Sequence, residues 1–278
     1  MPNLARRVVN MIDPRQAAPR AVEEELTEEE PQPQWLDVVA GPLAGRQLLL
    51  PPHLAWDGMT KGTFEPVVYE TAERISGLVS STAWDVGAHM GYHSLILAKA
   101  VGPSGRVIAF EPNPHNVERL RENLSRNGDL AERVTVVEEA LSDRDGMSSF
   151  VFSSLVDDGT SSGSHLTAAY APEEATAYSS FEQTRVKTVK ADTLVKARSV
   201  PPPVFIKVDV EGAEELVLAG AFELLSDARP TLLIEVHHVR TMYHVTRLLQ
   251  QADYRLELVG EQSDRRAQVF LLALPSPA

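Results

Sequence analysis

The chain contains no cysteine. That excludes disulfides, thiolate metal sites and a cysteine nucleophile, and it fits a reducing compartment. Long apolar runs are also missing, and none approaches the ~18 residues of a membrane span. Arg6 and Arg7 are not followed by the ~7–15 apolar residues of a secretory signal, so the sequence reads as a soluble, cytoplasmic protein with no membrane partner. Positive charge is in deficit too. Lys and Arg number 26 against 39 Asp and Glu, a formal charge of −13. That argues against nucleic acid as a partner. Six glutamates fall within Glu23–Glu30, and without them the balance is only −7.

What is present suffices for a sizeable core: 278 residues, 43% of them hydrophobic. Residues 1–34 combine a short amphipathic stretch (Leu4, Val8, Val9, Ile12) with prolines and the glutamate run, and read as a mobile leader. Residues 35–80 hold a hairpin, Leu36–Val39 with Arg46–Leu50, and a helix pattern over 65–79, both packing on the core formed by the rest of the chain. From residue 81 to 278, strands alternate with helices. Thr82–Val86, Arg106–Phe110, Val134–Val137, Val204–Val208 and Thr231–Val236 read as strands. Ser94–Ala100, the stretch after Asn113-Pro114, Ala213–Leu225 and 241–252 read as helices. Tyr254–Val259 and Ala267–Leu274 make a terminal hairpin. The alternation implies an α/β fold with a mostly parallel sheet. The Ser- and Asp-rich stretch at about 143–191 breaks the rhythm and reads as an insertion, either a substrate lid or a plain mobile loop.

Parallel sheets bind ligands beyond the carboxyl ends of their strands. The first strand runs into Asp85-Val86-Gly87-Ala88-His89-Met90-Gly91, a glycine turn that lets backbone approach a ligand. The second strand ends at Glu111, near the spacing at which such sites hold ribose hydroxyls. The dinucleotide fingerprint G-x-G-x-x-G is not matched, and there is no phosphate loop of the G-x-x-x-x-G-K-[ST] type. A ligand carrying adenosine is therefore expected on Asp85, Gly87, Gly91 and Glu111.

WDVGAHMGYHSLILAKAVGPSGRVIAFEPNPHN resembles the S-adenosylmethionine (SAM) half of a class I methyltransferase. With EEALSDRDG at 138–146, IKVDVEGAEELVLAGA at 206–221, PTLLIEVHH at 230–238 and GTFEP at 62–66, the chain resembles the FkbM family over about residues 35–275. The resemblance implies a Rossmann-like class I fold: a mostly parallel seven-stranded sheet, helices on both faces and an antiparallel C-terminal hairpin. It implies SAM as cofactor and O-methylation of a small-molecule hydroxyl, such as that of a sugar or polyketide in secondary metabolism. It places Asp85, Gly87, Ala88 and Gly91 around the methionine part of SAM, Glu111 on the ribose with Asn113 in support, and Ala140 and Leu141 beside adenine. His89 departs from the Asn common in the family.

An alcohol acceptor needs its proton taken by a base, or its pKa lowered by a metal. Candidates lie at the ends of the last two parallel strands: Lys207, Asp209, Glu211, Glu235, His237 and His238. Residues two apart on a strand share a side, which groups Lys207, Asp209 and Glu211, and Glu235 with His237. The sequence favours Asp209 and His237 for proton removal, with Lys207 and Glu211 beside them. The plainer alternative pairs Lys207 with Glu211 and leaves His238 as a helix-cap residue. His89, Tyr92 and His93 flank the cofactor turn. No spacing is diagnostic for Mg²⁺, so no metal is expected, though the carboxylates offer one a place. Two other classes stay open: a nucleotide-cofactor oxidoreductase and a non-catalytic SAM-binding scaffold.

Overall fold

The computed structural model describes residues 33–50, 57–153, 164–169, 181–260 and 269–277. Strands β1 (Gln34–Asp37) and β2 (Gln47–Leu50) precede helices α1 (Asp57–Lys61) and α2 (Pro66–Arg74). Next come β3 (Thr82–Val86), α3 (Tyr92–Ala100), β4 (Arg106–Phe110), α4 (Pro114–Ser125), α5 (Gly128–Ala131) and β5 (Val134–Val137). β6 (Ala140–Leu141) follows, and the insertion holds β7 (Gly146–Ser153), β8 (His165–Leu166) and β9 (Phe181–Val189). The chain continues through α6 (Ala191–Lys196), β10 (Phe205–Val208), α7 (Glu214–Ala219), α8 (Phe222–Asp227), β11 (Thr231–Val236), α9 (Val239–Gln251), β12 (Tyr254–Val259) and β13 (Val269–Pro275).

The main sheet has seven strands in the order β12-β13-β11-β10-β3-β4-β5. β11, β10, β3, β4 and β5 pair in parallel, and β13 runs antiparallel to both β11 and β12. Covered on both faces, a central parallel strand needs apolar side chains on both. All five residues of β3 are buried. Their alternation feeds two cores: Ala83 joins Val107, Leu95 and Val68 on one face, and Trp84 and Val86 join Phe110, Leu218 and Leu249 on the other. Trp84 is wholly buried and its indole N–H donates to the Pro201 carbonyl at 3.1 Å. Its truncation to alanine would cost ~3–5 kcal/mol. The expected architecture, including both helical layers and the terminal hairpin, is the one found.

Chain order places the site. β3 lies between β4, the next parallel strand in sequence, and β10, which comes after the insertion. The strand order reverses there, where open parallel sheets leave a crevice at their carboxyl ends. Asn113 and Pro114 start α4 as expected, the Asn113 Oδ1 accepting from the His115 N–H at 3.1 Å.

Three readings of the sequence are corrected. The stretch at 143–191 is no simple loop: β7 pairs antiparallel with β9 over eight residues, in a second sheet of order β6-β9-β7-β8. Phe150, Phe152, Val186 and Leu166 give that sheet its own small core. The helix expected over Ala213–Leu225 is broken into α7 and α8 around Gly220, where a Cβ would stand 1.9 Å from the Ser142 carbonyl oxygen. The helix expected over 65–79 is confined to Pro66–Arg74. The leader falls outside the described residues for 1–32, as do 154–163 and 170–180 of the insertion. No helix among the described residues is long and apolar enough to cross a membrane.

Candidate active site

A cavity of about 580 Å³ opens at the carboxyl ends of β3, β4, β10 and β11. Gly87, Ala88, Glu111, Ala140, Leu141, Lys207, Asp209, Glu211, Glu235 and His237 all line it. So do His89, Tyr92 and His93, and so does the inserted sheet through Phe150, His165 and Leu166.

On the β4 side the central group is Glu111, 4% exposed. Its Oε2 accepts from the His89 backbone N–H at 2.8 Å, and its Oε1 from the Asn113 N–H at 2.9 Å and the Asn116 amide at 3.4 Å. Burial raises its pKa to about 7 against the pull of these donors. Gly87 has φ +83°, and a Cβ there would lie 1.7 Å from the Asp209 carbonyl oxygen. The glycine is thus required by the neighbouring chain, not only by a ligand. Gly91, at φ +86°, makes room for the Leu120 side chain. His89 has φ +49°, a left-handed conformation in which Asn and His are enriched. That gives a backbone reason for the family's Asn at this position.

On the β10 and β11 side, charge is concentrated. The Lys207 ammonium donates to Asp209 Oδ2 at 3.1 Å and to the Gly87 carbonyl at 3.3 Å, and lies 3.6 Å from Asp85 Oδ1. Burial works against its charge, but Asp209 and Asp85 outweigh it and its pKa is raised. Asp209 is held below the usual range: burial opposes ionisation and Lys207 more than offsets it. His237 Nδ1 sits 2.8 Å from Glu214 Oε1, while its Nε2 faces Glu211 at 3.3 Å, Asp209 at 3.6 Å and Glu235 at 3.9 Å. Burial alone would lower its pKa. The bond to Glu214 and the charges of Glu211 and Asp209 raise it to about 10. The proton-free imidazole expected from an ordinary pKa is therefore not its resting form at neutral pH. Glu235 is pushed up to about 9 by burial and then by Asp209, and Glu65 to about 7 by the same two causes.

Three expected site residues stand behind the cavity wall. Asp85 is fully buried, accepts from Ser94 Oγ at 2.6 Å and faces Lys207, so it acts on the cavity through that lysine. Asn113 caps α4 and reaches Ser164 Oγ at 3.3 Å, and Gly91 packs under α4. Lys207 pairs with Asp85 and Asp209, and His238 is the exposed N-cap residue of α9. Two groups escape a reading of the sequence. Glu65 arrives from the start of α2, and Glu214, wholly buried, orients His237. The spacing Asp209, Glu211, Glu214 is the available signal for the second. Glu65, His89 and Glu211 all have positive φ, and such strained residues cluster at functional sites.

The residues fit an adenosine-bearing cofactor: a carboxylate for ribose hydroxyls at Glu111, and an apolar wall of Phe110, Ala140, Leu141 and Phe150 for the base. Sheet order and cavity are those expected of a class I SAM-dependent methyltransferase domain. The methyltransferase FkbM domain family matches residues 85–256, and the chain belongs to that family, whose cofactor is SAM. The hexuronic acid methyltransferase AglP of Haloferax volcanii is 32% identical over 181 residues, 65% of this chain and 66% of its own length. A protein-L-isoaspartate O-methyltransferase of Aeropyrum pernix is 52% identical over 44 residues, 16% of this chain and 17% of its own. The crystal structure of methyltransferase FkbM from Methylobacillus flagellatus superposes with a TM-score of 0.50 at 22% identity, over 78% of this chain and 52% of that one. The chain thus spans less than two thirds of each of these relatives. Family membership decides against the oxidoreductase alternative.

Proposed function

We propose that the protein transfers the methyl group of SAM to a hydroxyl of a small molecule. The observation that carries this reading is the shared cavity: Glu111 and the glycine turn line the same space as Asp209 and His237. When bound, SAM supplies a methyl already activated on its sulfonium, so the protein's main task is alignment. Glu111 and its donors hold the ribose, while Ala140 and Leu141 border the base. The acceptor hydroxyl lies toward Asp209, which Lys207 keeps ionised and able to accept the proton as the O–CH₃ bond forms. Glu214 fixes the imidazole of His237, whose charge then steadies Asp209. Asp85 and Ser94 hold Lys207 in place. The likeness to a hexuronic acid methyltransferase favours a sugar as acceptor.

Candidate sugars and polyketides are to be incubated with the protein and methyl-labelled SAM and read by mass spectrometry. A product heavier by one labelled methyl, lost on treatment that cleaves methyl ethers, is expected. SAM binding without product across the panel would favour the scaffold alternative.

A further inference from the structure

We propose that the Asp209 end of the cavity is a divalent-cation site, in which Asp209, Glu211, Glu235 and His237 hold an ion of the Mn²⁺ type. The ion's role rests on the function proposed above, but its presence does not.

The donor atoms are suitably spaced. Oxygens of Asp209 and Glu211 and the imidazole nitrogen of His237 all lie within 4.8 Å of one another. His237 Nε2 stands 3.3 Å from Glu211, 3.6 Å from Asp209 and 3.9 Å from Glu235. An ion ~2.0–2.2 Å from each donor leaves neighbouring donors ~3.0–3.6 Å apart, so a small inward movement suffices. The imidazole is oriented for it. Glu214 Oε1, which also accepts from the Gly212 N–H at 3.0 Å, accepts from Nδ1–H and leaves Nε2 to face the carboxylates, where an ion takes the place of the Nε2 proton. Histidine ligands are usually held in this way.

Glu235 supplies an independent observation. It is 5% exposed, lines the cavity, and among the described residues makes no hydrogen bond. Its polar neighbour His237 is 3.9 Å away, beyond hydrogen-bonding range. Glu65 Oε2 is likewise buried, 3.4 Å from His93 Nε2 and with no hydrogen bond, and Glu65, Asp209 and Glu235 form a second trio within 4.8 Å. A carboxylate buried without donors stays protonated unless a cation completes it. Lys207 is already shared between Asp85, Asp209 and the Gly87 carbonyl. Three carboxylates with one imidazole and no thiolate suit a hard to borderline ion. Placed there, it lowers the pKa of an acceptor hydroxyl, and it lets an acceptor bearing a carboxylate rest against an otherwise acidic wall.

The experiment titrates Mn²⁺ alone into the full-length protein, without acceptor, and follows the free aquo-ion signal by electron paramagnetic resonance. One equivalent bound is expected. Glu235→Gln and Glu211→Gln should each weaken it about tenfold or more, with SAM affinity by calorimetry unchanged. An undiminished free signal with the wild type, or wild-type binding by both variants, overturns the site. Parallel methyl-transfer assays separate the two claims. Mn²⁺ binding without transfer to any acceptor leaves the site standing and sinks the proposed function. Transfer unaffected by Mn²⁺ or EDTA, in protein that binds no Mn²⁺, does the reverse.

Discussion

At the Glu111 end of the cavity one carboxylate receives three N–H donors. At the Asp209 end, Asp209, Glu211, Glu214 and Glu235 surround one imidazole, and Lys207 divides its charge between Asp209 and Asp85. The first end is satisfied by the protein's own backbone and is ready for a neutral diol. The second carries more negative charge than its own cations balance. Cofactor affinity and turnover should therefore respond to different residues.

The largest effect should come from Asp209→Asn. Loss of the proposed proton acceptor is expected to lower the rate ~10²–10⁴-fold, with SAM affinity by calorimetry within about twofold. A parallel collapse of SAM binding would show that the two ends are not separable. Next in size is Gly87→Ala. The Cβ would stand 1.7 Å from the Asp209 carbonyl, and a loss of ~3–5 kcal/mol in urea unfolding is expected. Gly45→Ala, with φ +81° but nothing within 4 Å, is the control and should lose only ~1 kcal/mol.

Glu111→Ala comes third. It leaves the His89 and Asn113 N–H groups without their acceptor, so the fold should weaken by ~1–3 kcal/mol as SAM affinity falls ~10–100-fold. This strand-end carboxylate is buried and ties two backbone segments together. A subtler consequence is pH dependence. In the proposed function the ionised form accepts the ribose hydroxyls, and burial raises the pKa to about 7. SAM affinity should thus be full above that pH and decline as pH falls through it. Glu111→Gln should flatten the profile between pH 6 and 8, roughly one unit either side of that value. The smallest effect is expected far from both ends. The Arg46–Asp129 pair is exposed, with side chains 32% and 58% accessible, and Arg46→Ala should cost less than ~1 kcal/mol in thermal melting.

The legibility of this chain tracks burial. β3, β4 and β11 lie where the sequence puts them because strands covered on both faces must be short apolar runs. β7 and β9 escape because polar residues make up much of both, and the two strands find each other only across a long intervening stretch. The split at Gly220 depends on a contact with Ser142 that no local pattern encodes. The same holds at the site. Asp209, Glu211 and His237 are readable from strand ends and period-two alternation. Glu65 is not, since only tertiary packing carries the start of α2 to β10. The state of His237 is not readable either, because four carboxylates from separate positions set its charge.

The contact between Gly87 and Asp209 bears on how such a domain can be recombined. Asp209 N–H donates to the Val86 carbonyl at 2.9 Å, and its own carbonyl fills the space that a side chain on Gly87 would need. A chimera that takes β3 and its turn from one parent and β10 from another must preserve that fit across a boundary far apart in sequence. Crossovers within the insertion separate the two partners, whereas those before β3 or after β11 keep them together. The second kind should return folded, cofactor-binding proteins more often than the first.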